Sequence, residues 1–155
     1  MTNLRVTATG ITTDANTAND HAELEIMGIT LTGDYVFERK QTTTGGERVV
    51  TVAASAVSLD LGSAVNDLIS VTNGSGAFII TNSGVAGTAT ATVTVGVPSL
   101  SLSGAFTVRI NNTNAAVNET VSVGGSNVTV NLPAGPYLQV KGTGVTLGFM
   151  GLSLS

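Results

Sequence analysis

Apolar and polar residues alternate with a period of two along most of the 155-residue chain. That period is the mark of strands with one face buried and the other solvated. The clearest runs are Ile29-Leu31-Gly33-Tyr35-Phe37, Val57-Leu59-Leu61, Leu100-Leu102-Gly104-Phe106-Val108-Ile110, Val128-Val130-Leu132 and Val145-Leu147-Phe149. Between them stand turn signals: Thr44-Gly45-Gly46, Asn73-Gly74, Asn82-Ser83-Gly84, Gly124-Gly125-Ser126-Asn127 and Pro133-Ala134-Gly135-Pro136. Glycine reaches positive φ without steric cost, proline presets φ, and asparagine or serine can bond its own backbone, so each cluster predicts a change of direction. Helical periodicity is weak throughout, with residues 63–69 the single candidate for a turn of helix. The pattern predicts about nine strands or more in an all-β chain.

The chain also resembles itself. Leu31-Thr32-Gly33-Asp34-Tyr35-Val36-Phe37-Glu38-Arg39 matches Leu102-Ser103-Gly104-Ala105-Phe106-Thr107-Val108-Arg109-Ile110, an offset of about 70 residues and within the range of repeat units. Val57-Ser58-Leu59-Asp60-Leu61 matches Val128-Thr129-Val130-Asn131-Leu132, and Leu68-Ile69-Ser70-Val71 matches Tyr137-Leu138-Gln139-Val140. A partial copy opens the chain: Leu4-Arg5-Val6-Thr7-Ala8 resembles Leu138-Gln139-Val140-Lys141-Gly142, and Met27-Gly28-Ile29-Thr30-Leu31-Thr32 resembles Met150-Gly151-Leu152-Ser153-Leu154-Ser155.

These matches divide the chain into a partial repeat with an acidic insertion (1–27), a first unit (28–98), a second, shorter unit (99–151) and the start of another (152–155). The C-terminus then falls in mid-repeat. In a quasi-one-dimensional array such ends are completed by a neighbour, which makes Leu4, Val6, Val145, Leu147, Leu152 and Leu154 the candidate assembly edges. Gly33 and Gly104 interrupt strong apolar stripes at matching places, where glycine costs stability unless a bend, bulge or close approach needs it. The expected architecture is an elongated antiparallel β repeat: a flattened solenoid, a folded-over sheet or stacked two-layer units. An Ig-like β-sandwich is the alternative.

Composition narrows the function. Only 10% of residues are charged and 42% are hydrophobic, so solubility rests on Thr, Ser, Asn and backbone, as on the surface of secreted β proteins. The net charge of -4 removes the clustered cations that phosphate-backbone binding requires, so nucleic acid is excluded as a partner. With no cysteine there is neither a disulfide framework nor thiolate metal ligation. No apolar run reaches the length of about 18 residues that a membrane-spanning helix needs. The N-terminus lacks the apolar stretch of a signal peptide, so export implies a fragment, a mature form or a C-terminally addressed substrate.

At Gly104-Ala105-Phe106-Thr107-Val108-Arg109-Ile110-Asn111-Asn112-Thr113, Ala116-Val117-Asn118-Glu119-Thr120 and Leu132-Pro133-Ala134-Gly135-Pro136-Tyr137-Leu138-Gln139-Val140, the chain resembles the repeat unit of very long repetitive bacterial surface proteins, of the LEPR-XLL or hemolysin-type repetitive kind. Val71-Thr72-Asn73-Gly74-Ser75-Gly76-Ala77-Phe78 fits the same unit. The resemblance covers residues 28–155 and departs at 12–23. It implies a secreted or cell-surface fibre, adhesin or matrix component, and it brings no catalytic residue.

The inventory for catalysis is thin. His21 is the single histidine and lies in the insertion without a nucleophile elbow or an ordered partner, so no enzyme is expected. The loop bearing Asp14, Asn16, Asp20 and Glu23 concentrates the hard oxygen donors that calcium prefers. It lacks the EF-hand spacing, and a plain polar turn is the favoured reading, so no cofactor is expected beyond a conditional calcium. Thr88, Thr90, Thr92 and Thr94 read as solvent-facing β-formers. Glu38, Arg39, Lys40, Glu47 and Arg48 read as charges meeting across a hairpin end. The aromatic residues read as core. The expected function is a structural module of an extracellular fibre whose partners are other copies or adjacent repeats, head to tail. The alternative is an adhesin-type module recognising a glycan or surface.

Overall fold

The computed structural model describes residues 4–8, 22–26, 29–41, 48–63, 66–149 and 152–154. Every regular element among them is a strand: β1 (Leu4–Ala8), β2 (Ala22–Ile26), β3 (Ile29–Gln41), β4 (Arg48–Ser63), β5 (Asn66–Thr81), β6 (Gly84–Val97), β7 (Leu100–Asn111), β8 (Val117–Val123), β9 (Ser126–Leu132), β10 (Tyr137–Phe149) and β11 (Leu152–Leu154). The candidate helical turn does not form, since residues 66–69 open β5. Asn66, Asp67 and Ile69 pair with Ser63, Gly62 and Leu61 of β4, and Ile69 also with Val95 of β6, so sheet pairing outweighs a local helical preference.

Nine strands make one antiparallel sheet in the order β1-β3-β4-β5-β6-β7-β10-β11, with β2 also paired to β3. The path does not close on itself. β1 pairs with Tyr35 to Arg39 and β2 with Ile29 to Gly33, so two short strands share one edge of β3. β8 and β9 pair only with each other. The all-β antiparallel class is therefore what the chain adopts, whereas the Ig-like sandwich gives way to a large sheet with a second layer of two strands. The self-similarity is not kept strand for strand either: residues 57–61 lie in the large sheet and 128–132 in the small one.

The core lies between the hairpin and one end of the large sheet. Val121, Val123, Val128, Val130 and Leu132 point inward from β8 and β9 onto Val36, Ala53, Ala77, Ile79 and Ala86. In β9 the alternation is complete, with Val128, Val130 and Leu132 buried and Asn127, Thr129 and Asn131 exposed. Gly124 and Gly125 take φ of 54° and 75° between the paired Val123 and Ser126, the two positive-φ positions that a two-residue hairpin turn demands. A side chain on Gly124 would collide with the carboxylate of buried Asp34, which lies against this turn.

Polar groups of the large sheet clamp the hairpin backbone. Arg5 Nη2 donates to Ser122 O at 2.9 Å, Ser55 Oγ to Val123 O at 3.0 Å and Arg109 Nη2 to Asn131 O at 2.6 Å. Asn111 does most to hold the legs. Its amide is fully buried, donates to Ala115 O (2.9 Å) before β8 and Pro133 O (2.7 Å) after β9, and accepts from Thr113 N and Thr113 Oγ1. All four bonding positions of the amide are filled. Asn111→Ala should therefore cost about 3 kcal/mol, because it strands several partly buried groups at once. Exposed Asn131→Ala should stay within about 0.5 kcal/mol, and urea unfolding of the two variants checks both values.

Candidate functional site

Three β-bulges run across the middle of the large sheet. They fall at Ala56 in β4 (φ 52°), Asn73 in β5 (φ 53°) and Gly144 in β10 (φ 60°), each at a shift of register. The Asn73-Gly74 turn signal is thus a bulge within a strand: the αL conformation that asparagine tolerates serves either purpose. Each of two bulged valines covers a pair of glycines. A Cβ on Gly33 or Gly74 would stand 3.0 or 2.9 Å from Val57 side-chain atoms, and one on Gly104 or Gly142 would stand 2.9 or 2.8 Å from Val145 Cγ2. Gly33 and Gly104 therefore sit on regular strands and make room for a bulge on the neighbour.

The bulges leave a broad apolar region on one face of the sheet, with Arg39 and Arg48 at its margin. Opposite the hairpin, a trough of ≈ 550 Å³ is lined by Tyr35, Phe37, Val52, Val71, Phe78, Val93, Phe106 and Val108, among others, with no charged residue. Tyr137 packs against the core as expected, whereas Tyr35, Phe37, Phe78 and Phe106 line this open face instead, with Phe37 50% and the neighbouring Phe149 57% exposed. Strand alternation puts these side chains on one face, and the position of the β8–β9 hairpin decides that the other face is covered. The open face continues onto β10, where Leu138 and Val140 are 67% and 65% exposed.

The two ends of the sheet share a construction. β2 pairs with β3 through Leu24↔Leu31 and Ile26↔Ile29, and β10 pairs with β11 through Leu147↔Leu154 and Phe149↔Leu152. Val145, Leu147, Leu152 and Leu154 come together as exposed residues at one end. Leu4 and Val6 lie in β1, beside β3 at the opposite end. Among the described residues, nothing pairs with the far side of β1, β2 or β11. Glu38 meets Arg5 of β1 (3.6 Å) and Lys40 (3.0 Å); Glu47 lies outside the described residues.

A polar cleft of ≈ 490 Å³ opens between the hairpin and the bulges, lined by Ser55, Asn73, Ser75, Thr88, Thr90, Ser126, Asn127 and Thr129. Thr88 and Thr90, expected to face solvent, are part-buried here, and Thr90 Oγ1 bonds Thr107 Oγ1 at 3.0 Å. The calcium candidates Asp14, Asn16 and Asp20, like His21, lie outside the described residues, while Glu23 is exposed on β2. No cluster of three or more His, Cys, Asp or Glu occurs among the described residues. Also among the described residues, no helix is long and apolar enough to cross a membrane. Sequence reading missed Asn111, Ser55 and Arg109. Only the Asn111-x-Thr113 spacing, typical of an amide closing a local turn, signals any of them.

Against family models, curated proteins and solved structures, the chain has no match. The likeness to repetitive bacterial surface proteins rests on the quoted motifs alone.

Burial on the open face, and then the charge of Asp34, raise the pKa of Tyr35 above its ordinary 10.0. The unfolded chain then loses this proton first, so stability falls as pH rises from about 10 through the folded value and is unaffected below. Tyr35→Phe should reduce that alkaline loss, read by urea unfolding between about pH 9 and 11. An unchanged alkaline slope would remove Tyr35 as its source.

Proposed function

We propose that the chain is a structural module of an extracellular bacterial fibre, filament or surface protein, whose sheet is extended head to tail by neighbouring units. The observation that carries this reading is the shared register at the two ends of the sheet: β11 lies on β10 as the start of β3 lies on β2. A sheet built this way can continue past β11 in the geometry it already uses. Unpaired edge N–H and C=O groups are a template for another chain. The absence of cysteine and the low charge suit an exported β protein of this kind.

The test is an edge block. In a hairpin with a two-residue connection, the flanking pair Phe149 and Leu152 is the hydrogen-bonded one, which turns the N–H of Ser153 to the free edge. Ser153→Pro removes that donor and spares the pairing to β10. Negative-stain microscopy over a concentration series should show filaments with an axial repeat for the native chain, and at least a tenfold higher assembly threshold for Ser153→Pro. Separate particles at every concentration would sink the fibre reading.

A second reading, an adhesin module that binds a glycan, is favoured by the polar cleft alone. Its hydroxyl and amide lining, free of charge, offers donors and acceptors suited to sugar hydroxyls. Under this reading Asn127→Ala weakens binding on a glycan array at least tenfold while assembly is untouched. An array with no bound glycan would remove it.

A further inference from the structure

We propose that the open apolar face is an interface between two copies of this chain, in which the β10 ridge of each copy fills the trough of the other. The ridge is Leu138, Val140, Leu147 and Phe149, all exposed. Its residues share a face because they oppose Ile110, Val108, Leu102 and Leu100 of β7, which alternate without a break of register along β6. The trough of ≈ 550 Å³ is uncharged and almost wholly apolar, and the hydroxyls of Tyr35 and Thr90 in its lining already bond Leu31 O and Thr107 Oγ1, so a second apolar surface strands little there. One patch therefore holds both the ridge and its receptor. A two-fold axis satisfies both at once, the common geometry of homodimers.

Area supports the same occupant. Six long strands spaced about 4.8 Å, each about twelve residues long at about 3.3 Å per residue, give a face with a footprint on the order of 1,100 Å². A standard stable interface uses about 800 Å² per partner, and isolated monomers rarely leave an apolar patch of more than about 600 Å² in water. The chain's own hairpin cannot serve, since its outward side chains are Asn118, Thr120, Asn127, Thr129 and Asn131. An anionic lipid surface fits poorly, with only 6 Lys and Arg and a net charge of -4. The interface does not rest on edge pairing: the ridge and trough lie on the face, and Ser153→Pro alters a backbone group at the edge.

Sedimentation velocity of the Ser153→Pro chain, from about 0.1 to 100 µM, reads face pairing with strand addition blocked. We expect a monomer–dimer equilibrium, and Leu138→Lys with Val140→Lys should raise its dissociation constant at least a hundredfold. Phe149→Ser should do the same, with circular dichroism and the thermal midpoint reporting that each variant folds. Asn118→Lys on the outward side of the hairpin, exposed and away from both the trough and the polar cleft, should leave the equilibrium unchanged. A monomer at every concentration would overturn the proposal, as would a dimer indifferent to the ridge substitutions. So would a monomer that binds phosphatidylcholine vesicles through Leu138 and Val140, because a lipid surface would then be the occupant. Dimers without filaments in the native chain would remove the fibre reading and leave this interface standing. Filaments that persist in Ser153→Pro would count against the edge alone.

Discussion

The buried amide of Asn111 joins the two layers of this protein. β8 and β9 touch the large sheet through five aliphatic side chains, and an isolated two-stranded hairpin has little stability in water. What fixes its position is that the residues just before and just after it, Ala115 and Pro133, both accept hydrogen bonds from the Asn111 side chain. The amide sits at the end of β7, where the chain leaves the sheet, and β10 rejoins opposite it through Asn111↔Tyr137. A hairpin tethered at both legs from one point can only fold back over the adjoining face. The core, the clamp from Arg5, Ser55 and Arg109, and the contact of Asp34 with the Gly124 turn all follow from that placement.

The consequence for the other face is a matter of supply. A two-stranded layer covers one end of one side of a nine-stranded sheet, and the chain devotes no further described element to the opposite side. Yet the side chains there are as apolar as the core: Phe78 and Phe106 face the trough while Ala53, Ala77 and Ala86 face the hairpin. Small residues occur on both faces, Ala89 and Ala91 in the trough as well as Ala53 and Ala77 under the hairpin, but the rings of Phe37, Phe78 and Phe106 stand on the open one. This distribution is the reverse of a solvated outer face, which would alternate apolar inward with polar outward. It places the greater share of exposed apolar side chains on the open side.

Alternation alone made much of the fold legible, because period two is a local property that survives without knowledge of pairing. The stripes through Tyr35 and Phe37, or Leu100 to Ile110, fell on strands as expected. Turn chemistry served where both flanks were strands of a hairpin, as at Gly124-Gly125. It misled at Asn73-Gly74, where the same backbone preference builds a bulge. The mismatch of 57–61 with 128–132 has a related cause: similar apolar alternation fits a strand of either sheet, and only tertiary placement distinguishes them. The identity of the covered face was beyond sequence reasoning, since it depends on where the hairpin folds. Asn111 was hidden for the same reason, its partners lying on segments whose proximity the fold creates.

Open edges and an open apolar face together would make a sheet promiscuous, so the features that restrict it bear on how it can associate. Edge pairing is directional, and the edge opposite β11 is divided between β1 and β2, which meet β3 on either side of Asp34. Arg5, Glu38 and Lys40 gather charge beside that edge, which disfavours a partner lacking complementary groups. The bulges at Ala56, Asn73 and Gly144 twist the ladder at fixed positions, so an approaching sheet must match both halves of its curvature. Apolar attraction by itself carries no direction; here the ridge on β10 and the trough beside it give it one. In the proposed assembly, strand edges set the axis, and the shape of the apolar face sets which sides fit.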